Sequence, residues 1–217
     1  MSLTEKLRRS VDDVWSAILG HPFVLGIYRG DLPLERFRYY VLQDYSYLVG
    51  FARALALAAA RAPDAESMRT MLELAYGELT GEMANYEKLL GELGLPMSDA
   101  VRTAPNPTNV GYMSYLSSTC SLGTFGQCLA ALLPCFWTYL DIAESHRGLL
   151  EGNPIPVYRR WASVYLSKEY RALVEMLRAL LDRLAPPFEE VSGPFRTAAL
   201  YELAFWEAAY RGETWPA

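Results

Sequence analysis

A chain of 217 residues is long enough to fold as one domain that removes about 70% of its unfolded surface from water, with no metal or disulfide needed to hold the core. Its 20 Lys and Arg against 25 Asp and Glu give a formal charge of −5, and without a basic block it offers no electrostatic footprint for a nucleic acid. Hydrophobic residues at 52% and charged ones at 21% leave a lean surface for a monomer, which points to a large core and to apolar faces buried against another subunit.

Residues 4–19 are predicted as a first helix, closed by Gly20-His21-Pro22. Its charged, amphipathic start, MSLTEKLRRSVDD, is unlike a signal peptide, so the cytoplasm is the expected compartment. After Gly30-Asp31, Leu32-Pro33-Leu34-Glu35 opens a second helix, with Pro33 tolerated near the first turn. Phe37, Tyr40, Val41, Asp44, Tyr47, Leu48, Phe51 and Leu55 follow at spacings of three and four, which stacks them on one side. The run LALAAA stops well short of a membrane span, so no membrane partner is expected.

Pro63-Asp64 ends this pattern, and Asp64 caps a third helix through about Leu90. Residues 91–106 read as a loop long enough to cover or shape something. Thr108 or Asn109 begins a helix ending near Cys120, and residues 123–149 form the most apolar helix, interrupted by Pro134. Gly152-Asn153-Pro154 turns the chain into helices at 156–166, 167–184 and 194–211, with Pro186-Pro187 between the last two. The scattered Arg159, Arg160, Arg171, Arg178 and Arg183 are assigned to helix surfaces. With no persuasive strand, repeat or linker, the expected architecture is an all-α bundle of seven or eight main helices, one domain over residues 1–217.

Three polar groups fall where a core should be. Asp44 shares its face with Tyr40, Tyr47, Leu48 and Phe51, so its carboxylate points inward and must find donors or take up a proton. It is either a structural acid bonded to a tyrosine or a capping amide, or a receptor for a ligand's N–H groups. Cys135 follows Pro134, which removes one amide donor from the helix and leaves the Ala130 carbonyl without its usual partner; Tyr139 lies one turn on. Glu202 sits with Phe205 and Trp206, and a glutamate packed among aromatics has the raised pKa of a general acid, unless the helix face is simply a surface. Cys120 and Cys128 are eight residues apart, two helical turns or roughly 12 Å, too far for a disulfide unless the chain breaks at Gly123 or Gly126. The abundance of aromatics, 15 Tyr, 8 Phe and 5 Trp, suits a flat conjugated ligand as well as an ordinary core.

These residues resemble the TenA family, the thiaminase II type of aminopyrimidine aminohydrolase. The resemblance runs over roughly residues 10–215 through HPF with the following Gly-Asp-Leu (21–32), FRYYVLQDYSYL (37–48), AALLPCFWTY (130–139), WASVY (161–165) and ELAFWEAAY with a late Trp-Pro (202–210 and 215–216). It implies a haem-oxygenase-like all-α fold, a homotetramer and an aminopyrimidine pocket that uses no metal or organic cofactor. The family's catalytic cysteine falls on Cys135, its general-acid glutamate on Glu202, and the aspartate that receives the pyrimidine amino group on Asp44. Its pocket tyrosines fall on Tyr47, Tyr112, Tyr139 and Tyr165, and its ring-packing phenylalanine on Phe205. A haem-binding member of the fold needs an axial histidine on its first helix, where residues 4–19 have none. Diiron members need several inward Glu, Asp and His ligands. The two histidines here, His21 beside a proline and His146 near a helix end, read as structural or exposed. Retention of Cys135 matches the cysteine-bearing branch.

The implied chemistry converts 4-amino-5-aminomethyl-2-methylpyrimidine, or thiamine, to the 5-hydroxymethyl pyrimidine. A thiolate adds to an electron-poor ring carbon while the ring nitrogen is protonated, the adduct expels the amino or thiazolium leaving group, water adds to the methylene, and loss of the thiol restores the ring. A non-catalytic pyrimidine-binding or regulatory protein would need Asp44 and the aromatics but not Cys135. A purely structural helical protein would need neither.

Overall fold

The computed structural model describes residues 1–216, and all of the secondary structure among them is helical. Twelve α-helices and one π turn follow in chain order: α1 (Leu3–Ser10), α2 (Asp12–Leu19), α3 (Pro22–Arg29), α4 (Leu34–Arg61), α5 (Ala65–Gly77), the π turn (Glu78–Glu82), α6 (Met83–Leu93), α7 (Met97–Arg102), α8 (Pro107–Leu122), α9 (Phe125–Leu150), α10 (Pro156–Val164), α11 (Lys168–Leu184) and α12 (Phe188–Arg211).

Several expected boundaries move. The first helix is two, because Val11 leaves helical geometry at φ −123° and serves as cap to both. Residues 22–29 form a helix that periodicity passed over. His21 caps it by accepting from the Phe23 amide at 3.2 Å, Pro22 sits in its first turn, and Gly30 ends it in the left-handed region at φ +81°. A side chain at Gly30 would also strike Asn153, whose buried amide holds the Ile27 and Tyr28 carbonyls at 2.7 and 3.1 Å. The expected long loop contains α7. The last helix starts six residues earlier than expected and carries Pro194 inside it. Proline there cannot bond the Glu190 carbonyl four residues back, and the Gln127 side chain donates to that carbonyl instead, at 3.4 Å.

The helix expected from Asp64 to Leu90 does start on Asp64, whose carboxylate accepts from the Ser67 amide at 2.7 Å. It is not a single α-helix: five residues in the middle wind as the π turn, with αR backbone on both sides. The bundle is organised by α4, α9 and α12. The α9–α12 contact is the most extensive, and α4 packs along α5 and α8. Helices α4 and α8 approach so closely that a Cβ on Gly50 would fall 2.2 Å from the Met113 sulfur. Helix α9 is long and apolar enough by composition to cross a membrane, beyond what the LALAAA run suggested, but 78% of its apolar window is buried inside the bundle as a core helix. Pro134 does not end it.

Candidate active site

Where α4, the π turn, α9 and the α10–α11 junction converge, they line a cavity. Helix α4 contributes Tyr40, Asp44, Tyr47, Leu48 and Phe51, the inward face expected from their spacing. Helix α9 contributes Cys135, Phe136 and Tyr139, while Tyr165 and Tyr170 come from the chain after α10. Glu78 and Glu82 enter from the π turn.

Of the eight residues singled out from the sequence, Asp44, Tyr47, Cys135, Tyr139 and Tyr165 line this cavity. Tyr112, Glu202 and Phe205 form the layer behind it. The Tyr47 ring packs on Tyr112 at 5.3 Å and on Phe205 at 5.5 Å between centroids. Glu202, only 3% exposed, accepts from the Tyr112 hydroxyl at 2.6 Å and from the Thr138 hydroxyl at 3.4 Å. Its surface alternative is thereby ruled out. Tyr40, named in the sequence as a neighbour of Asp44 but not as a site residue, shares a 3.2 Å hydroxyl contact with Tyr139.

The electrostatics of this region all run in one direction. Burial pushes Glu202 up to about 7, against the lowering effect of its two hydroxyl donors. Burial, then the nearby Glu82 and Glu202, hold Asp44 well above the usual carboxylate range. The Cys135 thiol is pushed well above its ordinary value by burial first and by Glu202 second, with the Tyr47 hydroxyl acting the other way. That hydroxyl approaches the thiol yet meets hydrogen-bond geometry with no atom of the described residues, although Tyr47 is only 6% exposed. No Lys, Arg or His lines the cavity. The thiol is therefore protonated, and activating it requires an acceptor for its proton.

Glu78 and Glu82 were missed by the sequence reading, as was Tyr170. Burial, followed by Glu82 and Asp44, pushes Glu78 up to about 8, and burial raises Glu82. The available signal was a pair of glycines, Gly77 and Gly81, placed inside an otherwise strong helix pattern.

Outside the cavity, His21 bonds Glu207 at 3.0 Å and His146 bonds the Leu19 carbonyl at 2.8 Å, both structural as expected. The chain does break at Gly123, which folds α9 back so that the Cys128 sulfur lies 3.7 Å from the Cys120 carbonyl; both thiols are free and buried. Four of the five scattered arginines are engaged at the surface: Arg160 pairs with Glu92, Arg171 with Glu144 and Arg183 with Glu66, while Arg178 stacks on Trp137.

A Bacillus subtilis (strain 168) protein named aminopyrimidine aminohydrolase is 36% identical over 221 residues, covering 99% of this chain and 92% of its own length. The solved structure of a TenA homologue from P. horikoshii OT3 superposes with a TM-score of 0.95 at 46% identity, over 98% of this chain and all of its own. A domain from Shewanella denitrificans OS217 described as having a haem-oxygenase-like fold superposes at 0.76 with 17% identity, over 98% of this chain and 93% of its own, which shows the shared fold alone. The profile of the TENA/THI-4/PQQC family matches residues 8–212, and the chain belongs to that family.

Proposed function

We propose that the protein is a thiaminase II type aminopyrimidine aminohydrolase, which hydrolyses the exocyclic C–N bond of 4-amino-5-aminomethyl-2-methylpyrimidine, and of thiamine, in thiamine salvage. The observation that carries this reading is Cys135 and Asp44 lining one aromatic cavity, with a buried glutamate whose pKa is pushed up to about 7 in the adjoining layer.

Asp44, half-buried and without a cationic neighbour in the cavity, accepts from the pyrimidine amino group and orients the ring. Tyr139 and Tyr165, with ring centroids 4.8 Å apart, make an aromatic wall for it, and Phe205 backs the opposite tyrosine. The Cys135 sulfur bonds to an electron-poor ring carbon, and the thiol proton goes by way of Glu202 to the ring nitrogen. The adduct then breaks the methylene C–N bond, with the electron pair leaving on nitrogen. Water adds to the methylene as hydroxyl and proton, and loss of the thiol restores the aromatic ring. One water is consumed per turnover, and the leaving group is ammonia from the aminomethyl compound or the thiazole from thiamine. Glu202 suits this two-way traffic because a group titrating near 7 both gives and takes a proton readily. Tyr47 has a free hydroxyl beside the sulfur with which to hold the thiol or the attacking water.

We place the enzyme in the cytoplasm as a homotetramer; the exposed apolar residues on α5, Met68, Leu72 and Tyr76, support the assembly. The activity is tested by incubating the purified protein with the aminomethyl pyrimidine and with thiamine and following the hydroxymethyl pyrimidine by chromatography. Product from neither substrate would overturn the proposal.

A further inference from the structure

We propose that Glu78 and Glu82, carried into the cavity by the π turn, form a subsite for a primary ammonium on the exocyclic methylene, so that the pocket prefers the charged aminomethyl substrate to the neutral hydroxymethyl product. This rests on the reading of the cavity as an aminopyrimidine site, and it assigns the half of the cavity that Cys135, Asp44 and Glu202 leave unexplained.

Both carboxylates line the same cavity as Cys135, and neither is paired with a cation among the described residues. Glu78, half-buried in the cavity wall, makes no hydrogen bond to any described side chain or amide. Two acids four residues apart on one helical turn repel, and in a region of low polarity that repulsion is costly unless protons or a cation relieve it. The cavity offers no Lys, Arg or His for the purpose, so the missing positive charge is one that a ligand brings.

A second observation points to a ligand independently of the acids. The Tyr47 hydroxyl is buried, Tyr47 lines the same cavity, and that hydroxyl has no hydrogen-bond partner among the described residues. A buried hydroxyl without a partner is rare, and it is relieved by a polar group of a bound molecule. Tyr47 lies on α4 and the two glutamates on the π turn, so a methylene substituent held beside the Cys135 sulfur has a hydroxyl from one element and carboxylates from another. An ammonium carries three N–H donors and suits such a set of acceptors. A hydroxyl carries one donor and no charge, and gains much less.

The π turn explains how two acids come to be there. Its i→i+5 winding widens the helix locally, and such turns are frequent at functional sites. Glu82 also lines the neighbouring cleft with Lys88, Glu92 and Arg160, and both glutamates line the groove beside Leu173 and Met176. The acids thus stand between the cavity and two surface openings, where a released amine would leave.

The test uses the full chain carrying Cys135→Ala, which removes turnover, and measures binding of the aminomethyl and hydroxymethyl pyrimidines by calorimetry. Adding Glu78→Gln or Glu82→Gln should weaken the aminomethyl compound by about tenfold to a hundredfold, the range for one charge-assisted hydrogen bond. Affinity for the hydroxymethyl compound should stay within about twofold, and that binding also reports that the variant is folded. Equal losses for both compounds, or no loss for either, would overturn the subsite and leave the proposed function standing. No binding of either compound to the Cys135→Ala parent would overturn the proposed function and the subsite together.

Discussion

Cys135 is a nucleophile in an environment that resists making one. Burial and carboxyl neighbours favour the thiol, so attack depends on moving its proton as the sulfur bonds to carbon. Replacing it with serine, which raises the barrier to ionisation further, should reduce turnover to near background while binding of the hydroxymethyl pyrimidine persists; activity within about threefold of the parent would sink the covalent route. Glu202→Gln keeps a hydrogen-bonding group of the same shape but cannot carry a proton. Single-turnover mixing should show the chemical step falling by about 10²–10⁴-fold, with product affinity changed far less. The wild-type rate should fall as pH rises through about 7, where Glu202 loses the proton it donates, and the glutamine variant should lack that limb. These three residues, Asp44, Cys135 and Glu202, were legible because each is a polar group on an apolar helical face. Glu78 and Glu82 were not, since acids on a helix that elsewhere carries Glu66, Glu73 and Glu87 look like an ordinary solvated face.

Among the elements, those with a clear cap or a long apolar stripe were placed well from sequence: α4, α8, α9 and α11 lie within a few residues of expectation. Short helices and irregular turns were not. Helix α3 has only eight residues before its closing glycine, too few for a period to declare itself, and the side chain that holds its last carbonyls, Asn153, is distant in sequence. Pro194 looked like a helix start because the partner that replaces its lost bond, Gln127, is distant in sequence. On α5, the outer face bears Met68, Leu72 and Tyr76, the last 71% exposed, at helical spacing of four. A stripe of this kind on a surface helix is matched to a partner surface. Leu72→Glu with Tyr76→Glu should reduce the mass measured by light scattering from that of a tetramer to that of a smaller species. An unchanged mass would move the interface elsewhere.

For the molecule as a whole, carboxyls held above their ordinary pKa are a stability term that depends on pH. A raised acid supports the fold fully while it is protonated in both states, below about 4.5, and that support is lost as pH rises through the folded value. For Glu202, about 7, and Glu78, about 8, the window lies between about pH 4.5 and 8. A rise of this size for Glu202 corresponds to about 3 kcal/mol between its ends. The unliganded protein should therefore melt at progressively lower temperature from pH 5 to pH 9. Calorimetry on Glu202→Gln should show a shallower decline, and a melting temperature flat across that range would show that the acids are ionised without cost.

The π turn also has a consequence in time. It interrupts what would otherwise run as one helix from Ala65 to Leu93, and Gly77 just before it and Gly81 within it have open space where side chains would be. Glycine lowers the cost of opening a helix, and this turn lies next to cavities rather than packed core. Its amide hydrogens should exchange with deuterated solvent sooner than those of Met71 and Ala75 before it or Tyr86 and Leu90 after it, all of which are buried. A bound ammonium that ties Glu78 and Glu82 to the ligand should slow that exchange at residues 78–82 more than at either flank, and would do so without moving the ends of the helix.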